Sequence, residues 1–252
     1  MHVLVWNGGW TKSLLTAGLV VMAATALMIS GCPMNSPEKC DCGLQAYNPD
    51  IDPEDFVDAI DNPYFPLVPG TTYLYESETE EGTEQVEVTV TDAKVEILGV
   101  ECTVVRDTVT LEGEVVEDTY DWYAQDVDGN VWYFGEASME FEDGMVRSTF
   151  GSWEAGVHCA KPGIVMKADP RVGQTYRQEY YACVAEDKAT VIALGESYTV
   201  PYESYEDCLR TEEFTPLDPD AVEQKVYAPG VGFIFALADG ERTEELVSIT
   251  TK

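Results

Sequence analysis

Residues 118–136, DTYDWYAQDVDGNVWYFGE, gather five carboxylates and six aromatic rings around one turn. Carboxylates in that number can ligate Ca²⁺, and a pair of them can serve as acid and base in glycoside cleavage. DVDGN resembles a calcium loop. Its glycine, however, stands two residues earlier than an EF-hand requires, and the twelfth position is not acidic. Asp128-Gly129 fits better as the two central residues of a tight hairpin turn, both with positive φ. Val127 then pairs with Asn130, and the register sets Gln125 against Trp132, Tyr123 against Phe134, and Asp121 against Glu136 on one face. The other face pairs Ala124 with Tyr133 and Trp122 with Gly135, whose missing side chain leaves room for the indole.

Asp121 facing Glu136 is the consequence that matters. Like charges directly opposite destabilise a sheet, so an arginine, a cation, water or a proton on one carboxyl must compensate. Arg106 and Arg177 are the candidate arginines, and in TYRQEYY Arg177 shares a strand face with Glu179. One reading is a salt-bridge network. The other is a cleft in which the two carboxylates bind Ca²⁺ or cleave a glycan, with Tyr123 and Phe134 as stacking surface. If GSWEAG joins the hairpin in one site, Trp153, Glu154, Arg177 and Glu179 belong to it with Asp121 and Glu136.

Other chemistry has little material. His158 is the one histidine outside the leader available for a triad, a metal cluster or acid-base work, and a lone loop histidine beside an expected disulfide is more often incidental. PGVGF lacks the lysine and helix entry of a phosphate loop. A formal charge of -33 repels nucleic acid and anionic headgroups. No cofactor is called for, with Ca²⁺ the one candidate ion. Beyond Cys32, six cysteines remain, an even number that suggests disulfides in an exported chain. Spacing leaves 15 pairings open; the preferred one joins Cys159 to Cys183. Cys40 and Cys42 form a CDC pair in a linker without a nearby histidine, which favours a structural role over soft-metal binding.

The elements that must position these residues begin with an export leader. Lys12 precedes an apolar run from Leu14 to Ile29, shorter than the roughly 20 residues of a spanning helix. Ile29-Ser30-Gly31-Cys32 resembles the bacterial lipobox, which implies that Cys32 carries a lipid and anchors the chain without spanning the bilayer. Pro33 stands where inner-membrane lipoproteins commonly carry aspartate, which favours the outer membrane or cell surface. The expected organisation is a signal peptide over 1–31, a flexible tether over 32–51 and a single β-rich domain over 52–252. Asp52, Pro53 and Asp55 read as N-cap, N1 proline and acidic first turn of a short helix running to about Ile60.

From Thr71 the apolar period is two. Val86, Val88 and Val90 fall on one face of TEQVEVTVT, with Gln85, Glu87 and Thr89 on the other. Similar runs continue to EELVSI, separated by turns such as LEGE, FEDG and LADG. The expected fold is all-β: an antiparallel meander forming a curved sheet, barrel or sandwich, with GSWEAGVHCAKPG as its longest internal loop.

NPYFPLVPGTTYLYE, DWYAQDVDGNVWYFGE, GSWEAGVHCAKPGIVMKADP, YRQEYYACVAED and YAPGVGFI together resemble a group of exported bacterial proteins and lipoproteins. The resemblance covers the chain from about Asn62 onward and implies export without implying an activity. DVDGNVW alone is similar to blade hairpins of β-propellers in sensor proteins, but the chain has no repeated copies. The expected function is a membrane-anchored extracytoplasmic lipoprotein with a binding or structural role toward a small molecule, glycan or envelope protein. The alternative is a calcium-binding or carboxylate-dependent hydrolase.

Overall fold

The structure is a computed structural model and describes residues 47–252. The leader, Cys32, Cys40, Cys42 and most of the tether lie outside the described residues. The chain is packed before Asp52: Tyr47 donates its hydroxyl to the Pro162 carbonyl at 2.9 Å, and Ile51 packs on the core.

Asp52 caps as its sequence context requires, its carboxylate accepting from the Glu54 N–H at 3.1 Å with Pro53 behind it. The helix expected to run to Ile60 stops after one 3-10 turn, Pro53–Asp55. So short a segment gains little from helix propagation. Extending instead lets Phe56 pack edge-on against Trp132 and Phe134, with ring centroids 6.4 and 5.6 Å away.

The first run of strands is β1 (Phe56–Val57), β2 (Thr71–Thr79), β3 (Gly82–Ile97), β4 (Val100–Leu111), β5 (Glu114–Asp126) and β6 (Val131–Glu142). It continues through β7 (Met145–Ser148), β8 (Trp153–Glu154), β9 (Lys161–Met166), β10 (Thr175–Arg177) and β11 (Glu179–Tyr180). The last run is β12 (Lys188–Thr199), β13 (Ser204–Thr215), β14 (Asp218–Ala228), β15 (Gly232–Ala238), β16 (Glu241–Thr243) and β17 (Glu245–Thr251). The pairings are antiparallel and build two sheets, ordered β11-β9-β6-β5-β4-β3-β2-β17 and β10-β12-β13-β14-β15-β16, without barrel closure. β1 adds to β5, while β7 and β8 add to β6. The expected meander is therefore resolved as a two-sheet arrangement.

Between β10 and β11 the chain changes sheet across one residue, Gln178, and between β16 and β17 it does so across Glu244. Such corners join the sheets around one core. Val86, Val88 and Val90 point into that core at 2% exposure or less, each burial worth about 1.5–3 kcal/mol. From the facing sheet come Leu209, Tyr227 and Phe233. Tyr75 of β2 bridges the layers, its hydroxyl donating to the Phe233 carbonyl at 3.1 Å.

GSWEAGVHCAKPG is less of a loop than expected. Trp153-Glu154 pairs with Gly135-Glu136 as β8, and Lys161 onward pairs with β6 and β11 as β9. The remainder is a tight turn closed by the Gly156 N–H on the Ala160 carbonyl at 2.9 Å, with His158 and Cys159 in left-handed conformation.

Candidate functional site

The hairpin places Asp121 opposite Glu136 and Trp122 opposite Gly135, as its sequence predicts. It reaches that register by a different route. The turn is one residue longer than expected: Asp126 N–H bonds the Asn130 carbonyl, Gly129 N–H bonds the Asp126 carbonyl, and Gly129 takes the positive φ of 91°. Val127-Asp128-Gly129 is thus a three-residue loop with glycine in the left-handed position. Beyond it Tyr123 pairs with Tyr133, Ala124 with Trp132 and Gln125 with Val131. A bulge at Phe134 then absorbs the extra residue and restores the pairing at Trp122.

The bulge decides which side chains meet. Phe134 turns toward Phe56 rather than stacking beside Tyr123. Tyr133 takes its place, stacked on Tyr123 with centroids 4.9 Å apart. The space over Gly135 belongs to backbone rather than to the Trp122 indole: a Cβ there would lie 2.2 Å from the Trp153 carbonyl oxygen.

Tyr133 answers the charge problem. Its hydroxyl lies 2.6 Å from Asp121 Oδ1 and 2.9 Å from Glu136 Oε2, all three residues being at most 3% exposed. A phenol has one hydrogen, so it can donate to one carboxylate only. The shorter contact has the length of an O–H bond to an ionised oxygen, which assigns the tyrosine hydrogen to Asp121. A proton on Glu136 would let that carboxyl donate in turn to the Tyr133 oxygen. Burial, then Asp121 and Glu179, push the Glu136 carboxyl well above the usual range and outweigh the Tyr133 hydrogen bond, which lowers it. Of the compensating agents the sequence allows, a proton fits the raised Glu136 carboxyl.

The site extends through Trp153. Its indole stands edge-on to Tyr133 at 5.4 Å and donates to Glu179 Oε2 at 3.1 Å. Glu179 is 1% exposed, and its carboxyl too is raised, by burial first and then by Asp187. Asp121, Tyr123, Tyr133, Glu136, Trp153 and Glu179 therefore form one buried constellation. The remaining candidates stand apart. Glu154 is exposed, as strand alternation beside buried Trp153 requires. Arg106 forms a bidentate pair with Asp118, at 2.7 and 2.9 Å. Arg177 does not share a face with Glu179, because the chain changes sheet between them. It lies over Tyr180 and Tyr47 instead, 4.6 and 5.5 Å from their centroids.

Asp126, the turn residue most like a calcium ligand, is engaged by protein donors. Asn130 N–H, Asn130 Nδ2 and Trp132 Nε1 each lie 2.8 Å from its carboxylate.

Sequence reasoning missed the second sheet's share. Glu213 and Lys225, each with a side chain 2% exposed, are 3.5 Å apart, and Tyr227 and Thr211 donate to Glu213 Oε1 at 3.0 Å. Burial pulls the Lys225 ammonium down, but Glu213 and Glu223 outweigh it and hold the charge. Burial lifts Asp187 to about 7. The available clue was parity: Leu209, Thr211, Glu213 and Thr215 alternate through β13, which places Glu213 on the inward face.

The free cysteines among the described residues are Cys102 and Cys208, both buried, with thiols pushed up by burial to about 12 and about 11. The even cysteine count therefore does not translate into complete pairing. Cys159 and Cys183 are not among the free thiols.

No protein-family model matches the chain, and no curated protein does. Two solved structures are similar to it. A Bacteroides fragilis protein described as exported, with a YmcC-like fold, is 14% identical with a TM-score of 0.43, covering 75% of this chain and 100% of its own. A Parabacteroides distasonis protein described as a lipoprotein is 11% identical with a TM-score of 0.37, covering 75% of this chain and 99% of its own.

Proposed function

We propose that the protein is an extracytoplasmic lipoprotein, anchored through Cys32, whose β domain has a non-catalytic binding or structural role in the cell envelope. The observation that carries the non-catalytic reading is the Tyr133 hydroxyl seated between Asp121 and Glu136. A glycosidase needs its two carboxyls facing a substrate, and here a side chain fills the space between the nearest oxygens. The anchor reading rests on the Leu14–Ile29 run and the lipobox-like residues before Cys32. From Cys32 to docked Tyr47 an extended tether spans at most about 50 Å, which keeps the domain near its membrane. A bridge between Cys159 and Cys183 belongs to the same proposal, as befits an oxidising compartment.

Expression with a radiolabelled fatty acid tests the anchor. The wild type should take up label and fractionate with membranes, and Cys32→Ala should abolish both; label retained by the variant overturns the assignment. Asp121→Asn and Glu136→Gln test the role of the pair: binding of envelope glycans should survive both changes. A glycan-hydrolysing activity lost in either variant would replace this reading with the hydrolase. A thermal midpoint that rises with Ca²⁺ at constant ionic strength, and does so less in those variants, would replace it with a calcium site. Non-reducing peptide mapping should recover a fragment linking Cys159 to Cys183; two free thiols there would refute the bridge.

A further inference from the structure

Glu136 sits on the twelve-residue strand β6, but the groups packed over it come from two of the shortest strands in the fold. Trp153 arrives on β8 and Glu179 on β11, each two residues long. Strands that short contribute few backbone bonds of their own, so side chains must hold them, and they are the first elements to open. The N-terminal segment leans on the same edge: Tyr47 bonds the Pro162 carbonyl of β9, meets the Tyr180 ring of β11 at 5.8 Å, and lies beneath Arg177. Tyr47, the first described residue, thus docks on the edge that Trp153 and Glu179 hold against Tyr133 and Glu136.

We propose that the proton shared among Asp121, Tyr133 and Glu136 is a latch: while it is present β8 and β11 close on β6 and hold Tyr47, and its loss opens that edge and undocks the N-terminal segment. The balance is a simple ionisation. The Glu136 Oε2–H bond breaks, the proton goes to solvent, and the carboxylate left behind can no longer donate to the Tyr133 oxygen. Asp121 and Glu117 act on it from β5, Tyr133 from β6 and Glu179 from β11, with Tyr123 stacked behind Tyr133. Ionised, Glu136 adds a negative charge among acids, and the edge with the weakest backbone pairing yields.

The direction of the pH effect follows from linkage. Glu136 keeps its proton in the folded state well above the pH at which the unfolded chain releases it, so the folded state binds more protons in that window. Stability is then full below the ordinary carboxylate range and is lost as pH rises toward the folded value. For each proton so held, the midpoint falls by about 3–5 °C per pH unit.

Thermal melts of the purified full-length protein and of Glu136→Gln, at constant ionic strength from pH 5 to 9, test this with hydrogen exchange at each pH. The wild type should lose midpoint with rising pH and gain exchange in peptides covering 47–51, 151–156 and 178–185 before the rest of the domain. Glu136→Gln, whose amide can donate to Tyr133 at any pH, should show a shallower slope and a protected edge. Glu114→Gln, on an exposed position of β5, should follow the wild type and controls for net charge. A wild-type edge equally protected at pH 5 and 9, or a Glu136→Gln protein whose edge opens as the wild type's does, overturns the latch. If Glu136→Gln does not fold, Asp121→Asn, which removes the neighbouring charge, carries the same two outcomes.

Discussion

Tyr133 is the residue on which the buried acids depend. Replacing it with phenylalanine strands two carboxyls with one hydrogen-bond partner fewer each, and should cost about 1–3 kcal/mol in urea unfolding. Glu136→Gln should instead leave stability unchanged or raise it at neutral pH, since it removes a carboxyl whose charged form burial and its acidic neighbours disfavour. A Lys225→Met substitution belongs to the opposite class. It leaves Glu213 buried without its ammonium and should cost about 3–5 kcal/mol by the same measurement. The facing of Asp121 and Glu136 was legible in the sequence, because a period of two and a turn fix which residues lie opposite. The agent between them was not. Tyr133 falls on the wrong face in the simple register, and only the bulge at Phe134 turns it inward.

At the scale of elements, two departures from the simple hairpin offset each other. A three-residue loop shifts the register by one, and the bulge shifts it back, so the outer pairs of β5 and β6 match the expectation while the inner pairs do not. Gly135 is where this arrangement is least tolerant. Alanine there would meet the Trp153 carbonyl oxygen and take up a left-handed φ of 133°, so Gly135→Ala should cost about 1–3 kcal/mol and expose β8 to proteolysis. A variant as stable as wild type would mean that β8 does not approach β6 as described. Strands were readable from valine alternation because one face of each is dry and the other wet. The helix at Asp52 was overestimated for a physical reason: its cap is correct, but Phe56 gains more from the Trp132 and Phe134 rings than from another helical turn. Two-residue strands such as β8 and β11 carry no period at all, so their pairing is visible only in three dimensions.

The whole molecule joins a charge of -33 to an interior holding six carboxyls and one ammonium among the described buried residues: Asp107, Asp121, Glu136, Glu179, Asp187 and Glu213 against Lys225. The surface charge is screened by salt and the interior is not. Raising ionic strength from about 0.01 to 0.15 M should therefore raise the melting midpoint without flattening its pH dependence. If salt removed the pH dependence, the titrating groups would lie at the surface. Composition alone gives the strong negative surface field. It could not predict that acids of the two sheets are linked, Glu179 of β11 through Asp187 to Glu213 of β13, because chain crossings such as Gln178 rather than any local pattern bring them into range.

The central claim is that Glu136 carries a proton in the folded protein, and infrared spectroscopy reads it directly. At neutral pH the wild type should show the carbonyl stretch of a protonated, hydrogen-bonded carboxylic acid, shifted on deuteration and missing from Glu136→Gln. A wild-type spectrum containing only carboxylate bands, or a protonated band that persists unchanged in Glu136→Gln, would contradict the account.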